Sequence, residues 1–262
     1  MIAVDVGNQR IKLGRFEALP TAGLPEPVAT LQILGEDPQL NRIAAWLADV
    51  PGPLSWWIGS VSRPTAGRLI DWLRQRAGRD PITLLAAGDL ALEVRLPRPD
   101  MVGVDRLLDA VAANRLRQPG RPAAVVDVGT AITVDLLAAD GAFCGGAIAA
   151  GMTTAARALH AFTDLLPLVD VSELNLPPAA LGTSTIEAMQ SGLFWGALGT
   201  IRELIAQLTA GIAIPPQIFL TGGAGPAVAG LLGAHAQHLP HLTLAGIALT
   251  AAAGKRIGEP VA

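Results

Sequence analysis

Apolar and polar positions along the first half of the chain alternate in a way that predicts short strands, turns and helices. Ile2 to Val6 is an apolar run rich in β-branched residues, and Ile11 to Phe16 alternates apolar and polar side chains. The residues between them, Gly7 to Arg10, have turn composition, so the chain opens with a strand, a turn and a second strand. Further predictions are loops at 20–27 and 95–100, strands at 54–58 and 82–85, and helices at 38–49, 65–77 and 103–118.

The same order of patterns begins again after Gln118-Pro119-Gly120, which is typical of a boundary between domains. We therefore expect an N-terminal domain at 1–117 and a C-terminal domain at 118–262. The predicted elements of the second half are strands at 123–126, 131–137, 142–148 and 218–221, turns at 127–130, 139–141 and 222–225, and helices at 153–161, 184–208 and 244–253.

The tetrapeptide Val-Asp-Val-Gly occurs twice, at 4–7 and at 126–129. Asp5 and Asp127 each end an apolar strand, and a second predicted strand follows each of them. A repeat at this long spacing indicates two related domains facing each other, not a solenoid of short repeats. Coincidence is the alternative, because Asp-x-Gly turns at strand ends are common.

Composition narrows the class of protein. With 262 residues, 51% hydrophobic and 16% charged, the chain is long enough to bury a core. It has no uninterrupted apolar run of about 20 residues, the length that spans a bilayer, and no basic segment before its first strand. Cys144 is the one cysteine, so an internal disulfide is excluded and a reducing cytoplasm is consistent. The net charge of −3 gives no support for nucleic acid or an anionic membrane as partner.

The two Asp-x-Gly turns are suited to phosphate chemistry. Glycine lets backbone N–H groups approach phosphate oxygens closely, so Gly7 with Asn8, and Gly129 with Thr130, can each form a phosphate cradle. Lys12 would add a positive charge, and Asp5 and Asp127 can bind cations directly or through water. The alternative for each aspartate is a turn residue that hydrogen-bonds its own backbone.

A second candidate site is Gly103-Val104-Asp105-Arg106, which opens a predicted helix. Asp105 at an exposed helix start can accept a proton from a substrate hydroxyl, and Arg106 can pair with a substrate carboxylate or a transferring phosphate. From spacing alone, an ordinary helix start with an acidic residue in its first turn is the simpler explanation.

Other site classes receive less support. The chain contains neither a P-loop nor a nucleophile elbow, and the glycine-dense turn at 222–225 is a weak nucleotide signal on its own. A zinc site is not expected, since Pro240 interrupts the spacing of the last three histidines. The four histidines are His160, His235, His238 and His241.

Six motifs in order resemble the type III pantothenate kinase family, also called the Bvg accessory factor family, from residue 2 to about 250. They are Asp5 to Lys12, Gly103 to Arg106, Asp127 to Thr133, Gly145 to Ile148, Gly182 to Gly192 and Thr221 to Gly223. The resemblance implies an α/β protein with the actin/hexokinase/Hsp70-like (ASKHA) fold: two similar domains, each a mixed sheet flanked by helices, with a nucleotide cleft between.

The resemblance also implies an activity. The family phosphorylates the 4′-hydroxyl of pantothenate with ATP, the first step of coenzyme A synthesis. It works as a homodimer and requires Mg²⁺ and a monovalent cation, K⁺ or NH₄⁺. On this basis the chain is expected to be a cytoplasmic kinase.

Site residues carried over from the resemblance fall into four groups: cation ligands, the general base, ATP contacts and pantothenate contacts. Asp127 would bind the monovalent cation, Asp105 would be the general base, and Asp5 would lie near Mg²⁺, directly or through water. The ATP-phosphate contacts would be Asp5, Val6, Gly7, Asn8, Gln9, Arg10, Ile11, Lys12 and Thr130. The pantothenate contacts would be Gly103, Val104, Asp105, Arg106 and Thr185, the last from the partner's side of the dimer interface.

Two departures from the family pattern leave an alternative open. Gln9 stands where the family usually has Thr or Ser, so the affinity for ATP is the property in question. The chain also lacks the tyrosine that many members have before the Gly-x-Asp-Arg loop. These departures motivate a catalytically weak nucleotide-binding paralogue with a regulatory or interaction role. The retained Lys12, Asp105 and Asp127 favour the active kinase, and a kinase for another small hydroxyl substrate is a third possibility.

Overall fold

The computed structural model describes residues 1–18, 20–35, 39–76, 78, 80–171, 174, 176–233 and 236–257. Its strands are β1 (Ile2–Val6), β2 (Arg10–Arg15), β3 (Ala29–Leu34), β4 (Trp56–Ser60), β5 (Ile82–Leu84), β6 (Ala123–Val128), β7 (Ala131–Leu137), β8 (Phe143–Ala150), β9 (Gln217–Thr221) and β10 (Ala236–His238). Its helices are α1 (Leu40–Trp46), α2 (Arg63–Arg76), α3 (Val104–Leu116), α4 (Met152–Ala161), α5 (Thr185–Leu208), α6 (Gly225–Ala229) and α7 (Leu242–Ile257), with short 3₁₀ turns at Ala87–Asp89 and Pro99–Met101.

The chain forms two compact units, Met1–Leu116 with His241–Ala262, and Arg117–Pro240. The chain passes from the first unit to the second between Leu116 and Arg117, one residue before the boundary expected from the sequence. The structure differs from the expected 118–262 domain at the other end, because α7 packs in the first unit. Gly246 explains this packing, since a methyl group there would lie 2.1 Å from the Leu108 carbonyl oxygen, so only glycine allows α7 this close to α3.

The first unit is a five-stranded mixed sheet in the order β3-β2-β1-β4-β5. β1 pairs antiparallel with β2, β2 antiparallel with β3, and β4 parallel with both β1 and β5. Alternate side chains of a strand point to opposite faces. One face carries the core, where Val4, Ile11 and Ile58 cluster with Ile43 of α1 and Leu69 of α2.

The opposite face carries Asp5, Lys12, Gly14 and Gly59. Asp5 is paired with Lys12 on β2 and with Gly59 on β4, and Gly14 lies two residues after Lys12. Helices α3 and α7 cover this face. A methyl group at Gly14 would lie 3.1 Å from Leu244 Cδ1, so small residues bring α7 close to the sheet. The polar pair Asp5 and Lys12 therefore lies on the same face as the starts of two helices.

The second unit repeats the topology, with the sheet order β10-β9-β6-β7-β8. β6 pairs antiparallel with β7 and parallel with β9, and β7 pairs antiparallel with β8, as their counterparts do in the first unit. The buried core joins strand residues such as Val126, Ile132 and Val134 to Phe194 and Leu198 of α5. The internal repeat predicted from Val-Asp-Val-Gly is thus a repeat of sheet topology.

Most elements lie where the sequence places them, with ends shifted by a few residues. The predicted helix at 38–49 is shorter, Leu40–Trp46, and its Pro38, like Ala77 of the next predicted helix, lies outside the described residues. Strands β3 and β10 and helix α6 were not predicted from the sequence. Among the described residues, no helix combines the length and apolar character needed to cross a bilayer.

Candidate functional site

The β1–β2 turn forms the first predicted phosphate loop, and its backbone is held at both ends. Gly7 N–H donates to the Arg10 carbonyl (3.0 Å) and closes the turn. The Val6 carbonyl accepts from Val61 N–H (3.0 Å), and the Gln9 carbonyl accepts from Gly35 N–H (2.8 Å). The predicted ATP-phosphate residues 5–12 therefore belong to one hairpin whose main chain has a fixed position.

Asp5 and Lys12 face each other across this hairpin. They are direct partners in the β1–β2 ladder, and Lys12 Nζ lies 3.8 Å from Asp5 Oδ2. The Asp5 side chain is almost buried, whereas that of Lys12 is about one-third exposed. Lys12 thus keeps an accessible positive charge beside a buried carboxylate.

Asp105 lies in the first turn of α3, where Gly103 and Arg106 shape its surroundings. Arg106 N–H donates to Asp105 Oδ1 (2.8 Å), and a methyl group at Gly103 would lie 2.6 Å from the same oxygen. Loss of hydration raises the pKa of the Asp105 carboxyl, while this hydrogen bond and the charges of Arg106 and Lys12 oppose the rise. A carboxylate with a raised pKa is suited to accepting a proton.

Lys12 connects Asp105 electrostatically to the phosphate hairpin, because its charge acts on the pKa of Asp105 as well as on Asp5. The first unit therefore brings together the β1–β2 hairpin, a cation and a carboxylate with a raised pKa. Val104 is buried beside them, with Arg106 partly exposed.

His241 also lies near this group, although it belongs to none of the sequence motifs. It precedes α7, and its carbonyl accepts from Ala245 N–H (2.9 Å). Partial burial, followed by the charge of Lys12, lowers the pKa of His241, and Glu26 opposes this effect. The sequence separates His241 from Lys12 by most of the chain, so only the folding of α7 onto the first unit reveals their proximity.

The second Asp-x-Gly turn surrounds Asp127 with backbone. Asp127 is the penultimate residue of β6 and is aligned with Thr133 on β7 and Thr221 on β9. Gly222 has φ of +94°, and a methyl group there would lie 2.3 Å from Asp127 Oδ1. A turn of this shape requires glycine. The glycine-dense turn after β9 therefore packs directly against the Asp127 carboxylate.

Thr130 lies in the turn between β6 and β7, and two hydrogen bonds hold its carbonyl in place. It accepts from Thr154 Oγ1 (2.6 Å) and from Gly151 N–H (3.1 Å). A methyl group at Gly151 would lie 2.1 Å from the Gly129 carbonyl oxygen, so α4 begins in tight contact with this turn. Asp127 and Thr130, both predicted from the repeat, are thus neighbours in the second unit.

Thr185 is the first residue of α5 and is exposed. Ser184 caps the helix by accepting from Glu187 N–H (3.3 Å), and Glu187 accepts from Thr183 N–H (2.7 Å) and Thr183 Oγ1 (2.6 Å). The two hydrogen bonds from Thr183 to the carboxylate lower the pKa of Glu187. Thr185 also borders an apolar cavity of about 480 Å³ lined mainly by α5, with Leu159 of α4 and Leu166 on its other side.

The histidines do not form a metal site in the part of the chain that the structure describes, where no three His, Cys, Asp or Glu side chains lie close enough to bind a metal ion. His235 lies outside the described residues.

Sequence comparisons identify one family. Residues 1–207 match the family model described as type III pantothenate kinase. A type III pantothenate kinase of Phenylobacterium zucineum (strain HLK1) is 37% identical over 190 residues, 72% of each chain. Another, of Parafrankia sp. (strain EAN1pec), is 33% identical over 259 residues, 95% of this chain and 96% of the relative.

Solved structures agree on the fold. A protein of Campylobacter jejuni described as a Baf family transcriptional activator aligns over 98% of this chain and 100% of its own, with TM-score 0.61 and 16% identity. A protein of Listeria monocytogenes described as an N-acetylmannosamine kinase aligns over 97% and 99%, with TM-score 0.52 and 14% identity. At such identities the likeness shows the fold alone, and it confirms the expected ASKHA class.

Proposed function

Since the chain belongs to the type III pantothenate kinase family, we propose which of its residues carry out the family's reaction. The reaction is ATP-dependent phosphorylation of pantothenate to 4′-phosphopantothenate, the first step of coenzyme A biosynthesis. As a kinase, the chain uses ATP with a divalent metal ion. The observation that carries the residue assignment is the grouping of Asp5, Lys12 and Asp105 in the first unit.

Asp105 is assigned as the general base. Its raised pKa makes the carboxylate a better proton acceptor than an ordinary exposed aspartate. Oδ1 accepts from Arg106 N–H, so we assign Oδ2 as the oxygen that takes the proton from the 4′-hydroxyl. The substrate oxygen would then attack the γ-phosphorus of ATP, the bond from this phosphorus to the β–γ bridging oxygen would break, and ADP would leave.

The hairpin from Asp5 to Lys12 is assigned to the ATP phosphates. Its backbone is fixed at Val6 and Gln9, which favours binding through preorganised N–H groups. Lys12 would neutralise phosphate charge. Asp5 supplies one buried carboxylate, which fits Mg²⁺ bound through one or two carboxylates and substrate phosphates. Mg²⁺, when bound, would offset the negative charge of the phosphates.

Asp127 is assigned to a monovalent cation, K⁺ or NH₄⁺, and Thr130 is assigned to ATP phosphate. The supporting observation is the backbone packed around Asp127, where a methyl group at Gly222 would lie 2.3 Å from Oδ1 and 2.5 Å from the Val128 carbonyl oxygen. The Asp127 carboxylate and the Val128 carbonyl would supply a negative charge and oxygen atoms to such a cation.

Pantothenate is assigned to the start of α3 and to Thr185. Arg106 would pair with the pantothenate carboxylate, and Gly103 and Val104 would line the site beside Asp105. The exposed hydroxyl of Thr185, in the capped first turn of α5, would donate a hydrogen bond to pantothenate bound mainly by the partner subunit.

A homodimer is supported by an exposed apolar patch in the second unit, which we name the 162–181 patch. It comprises four large side chains that are each at least 79% exposed: Phe162, Leu165, Leu176 and Leu181. Large apolar side chains exposed along one stretch of the sequence fit a surface that a partner covers. A second copy of the chain is the occupant that the family resemblance favours.

One assay tests the activity. Purified protein is incubated with ATP, pantothenate, Mg²⁺ and K⁺, and ADP and 4′-phosphopantothenate are measured while each component is omitted in turn. We expect product only in the complete mixture or with NH₄⁺ replacing K⁺. Nucleotide binding by calorimetry without product would instead support the weak paralogue motivated by Gln9. The cytoplasmic location, supported by the use of ATP, can be tested by cell fractionation.

A further inference from the structure

We propose that Arg68 is a positioning residue for the ATP-phosphate hairpin. It would act through a set of hydrogen bonds that we name the loop brace, formed by Gly35, Ser62, Thr65 and Arg68. The inference rests on the proposed assignment of residues 5–12 to the ATP phosphates. Arg68 lies on α2, on the side of the sheet opposite Asp5 and Lys12, and no role in the reaction follows from its position in the sequence.

The brace acts on the two ends of the phosphate turn. Val61 N–H donates to the Val6 carbonyl (3.0 Å), just before the turn. Gly35 N–H donates to the Gln9 carbonyl (2.8 Å), at the end of the turn. The two donors come from separate strand ends, β4 and β3, so a stable turn requires that these ends keep their relative position.

Arg68 links the two strand ends. Its Nη2 donates to the Gly35 carbonyl (3.0 Å) and to Thr65 Oγ1 (3.3 Å). Thr65 Oγ1 also accepts from Ser62 Oγ (2.9 Å), and Ser62 N–H donates to Ser60 Oγ (3.1 Å) at the end of β4. Thr65 is buried, so its hydroxyl has little access to water as a substitute partner.

Close packing makes the hairpin sensitive to the brace. A methyl group at Gly35 would lie 3.3 Å from the Gln9 carbonyl carbon and 3.4 Å from its oxygen. A displacement of Gly35 would therefore be transmitted to the Gln9 peptide. Backbone donors bind phosphate well only when their positions are fixed before binding. Loss of the brace should thus weaken ATP binding specifically.

The test compares Arg68→Met, which keeps the apolar stem but removes the donors, with Arg68→Lys, whose ammonium can donate to both acceptors. Thr65→Val removes the shared acceptor at similar volume. Arg74→Met, at an exposed arginine on the same helix, is the matched control. Calorimetry with a non-hydrolysable ATP analogue and steady-state kinetics for both substrates are the measurements.

We expect Arg68→Met and Thr65→Val to weaken analogue binding and to raise KM for ATP by about tenfold, as expected for loss of a hydrogen bond from a charged donor. KM for pantothenate should not change, and Arg68→Lys should recover most of the ATP affinity. Arg74→Met should match the wild type.

The inference is overturned if the wild type turns over ATP and Arg68→Met behaves as Arg74→Met does, or if both KM values rise equally. A wild type that neither binds nor consumes ATP would instead refute the proposed function. If circular dichroism shows that Arg68→Met is misfolded, the test uses Thr65→Val and Arg68→Lys instead. Normal ATP binding by Thr65→Val then overturns the inference.

Discussion

Lys12 lies directly opposite Asp5 in the β1–β2 ladder, with its Nζ 3.8 Å from Asp5 Oδ2. The same charge opposes the rise in the pKa of Asp105 and lowers the pKa of His241. One partly exposed ammonium thus acts on three titratable groups of the first unit. Its removal should affect both phosphate binding and the protonation of the proposed base.

Lys12→Met is predicted to lower kcat by about 10²–10³-fold, the usual cost of removing a preorganised electrostatic contact to the transition state. KM for ATP should also rise, because the ammonium is assigned to the phosphates. Steady-state kinetics at saturating Mg²⁺ and K⁺ provide the measurement. Arg42→Met removes an exposed cation on α1 and serves as the control. An unchanged kcat in Lys12→Met would contradict the assignment.

Asp105→Asn is predicted to lower kcat on the order of 10²–10⁴-fold while leaving ATP-analogue binding intact. The amide oxygen can still accept from Arg106 N–H, so the helix start should be preserved. Single-turnover measurements with preloaded ATP separate the chemical step from binding. Wild-type rates in this variant would remove Asp105 as the base.

The pH dependence of the wild type should report the same carboxyl. The base must be deprotonated, and burial raises its pKa above the ordinary value of about 4. We therefore expect kcat/KM for pantothenate to fall with decreasing pH at a higher pH than an unperturbed aspartate would give. The acid limb should disappear from the residual activity of Asp105→Asn.

Stability should change in the opposite direction to activity. An acid whose pKa is higher in the folded protein than in the unfolded chain holds its proton more tightly when folded, so ionisation above the folded pKa costs stability. Asp105→Asn removes this cost and should raise Tm at neutral pH. The difference should shrink below pH of about 4, where Asp105 is protonated in both states. A lower Tm at neutral pH would contradict the burial argument.

The hairpins and the repeat were predictable because their signals are local. β1–β2 and β6–β7 each have an apolar strand, a glycine turn and an alternating strand, and these patterns follow from side-chain alternation. β3 was missed because it follows a loop rich in Pro and Gly and lies at the edge of its sheet. β10, with three residues, is too short for any period to be recognised.

The residues of the candidate site could be proposed from sequence motifs, but their surroundings in the fold could not. Asp5, Lys12, Asp105 and Asp127 all lie in recognisable motifs. The raised pKa of Asp105 depends on burial by elements distant in sequence. The proximity of His241 depends on the packing of α7 onto the first unit. Glycines in different elements permit this close packing, and their positions form no periodic pattern in a single sequence.

Phe162→Asp is predicted to disrupt the proposed dimer, because it places a charge in the 162–181 patch, where Phe162 is 88% exposed. Burying an unpaired charge should weaken association at least about tenfold. Light scattering after size-exclusion chromatography measures the mass. Ile214→Asp, at an exposed side chain before β9, is the control. A wild-type monomer, or a Phe162→Asp dimer as stable as the wild type, would contradict the proposal.

Gly222→Ala and Gly223→Ala form a matched pair for the Asp127 site. Residue 222 has φ of +94°, and an added methyl group would lie 2.3 Å from Asp127 Oδ1, whereas at residue 223 it would have no heavy atom within 4 Å. Gly222→Ala should therefore cost about 1–3 kcal/mol of stability from backbone strain alone.

The same pair tests the proposed monovalent cation. Since the alanine at 222 would displace the Asp127 carboxylate, the concentration of K⁺ needed for half-maximal activity should rise in Gly222→Ala and stay at the wild-type value in Gly223→Ala. Activity titrations with KCl, at constant ionic strength set by a tetraalkylammonium salt, measure it. Asp127→Asn should show the same rise in the K⁺ concentration needed for half-maximal activity, without the backbone strain. If Gly222→Ala is less stable but keeps the wild-type K⁺ response, Asp127 does not bind the cation, and the glycine serves the turn alone.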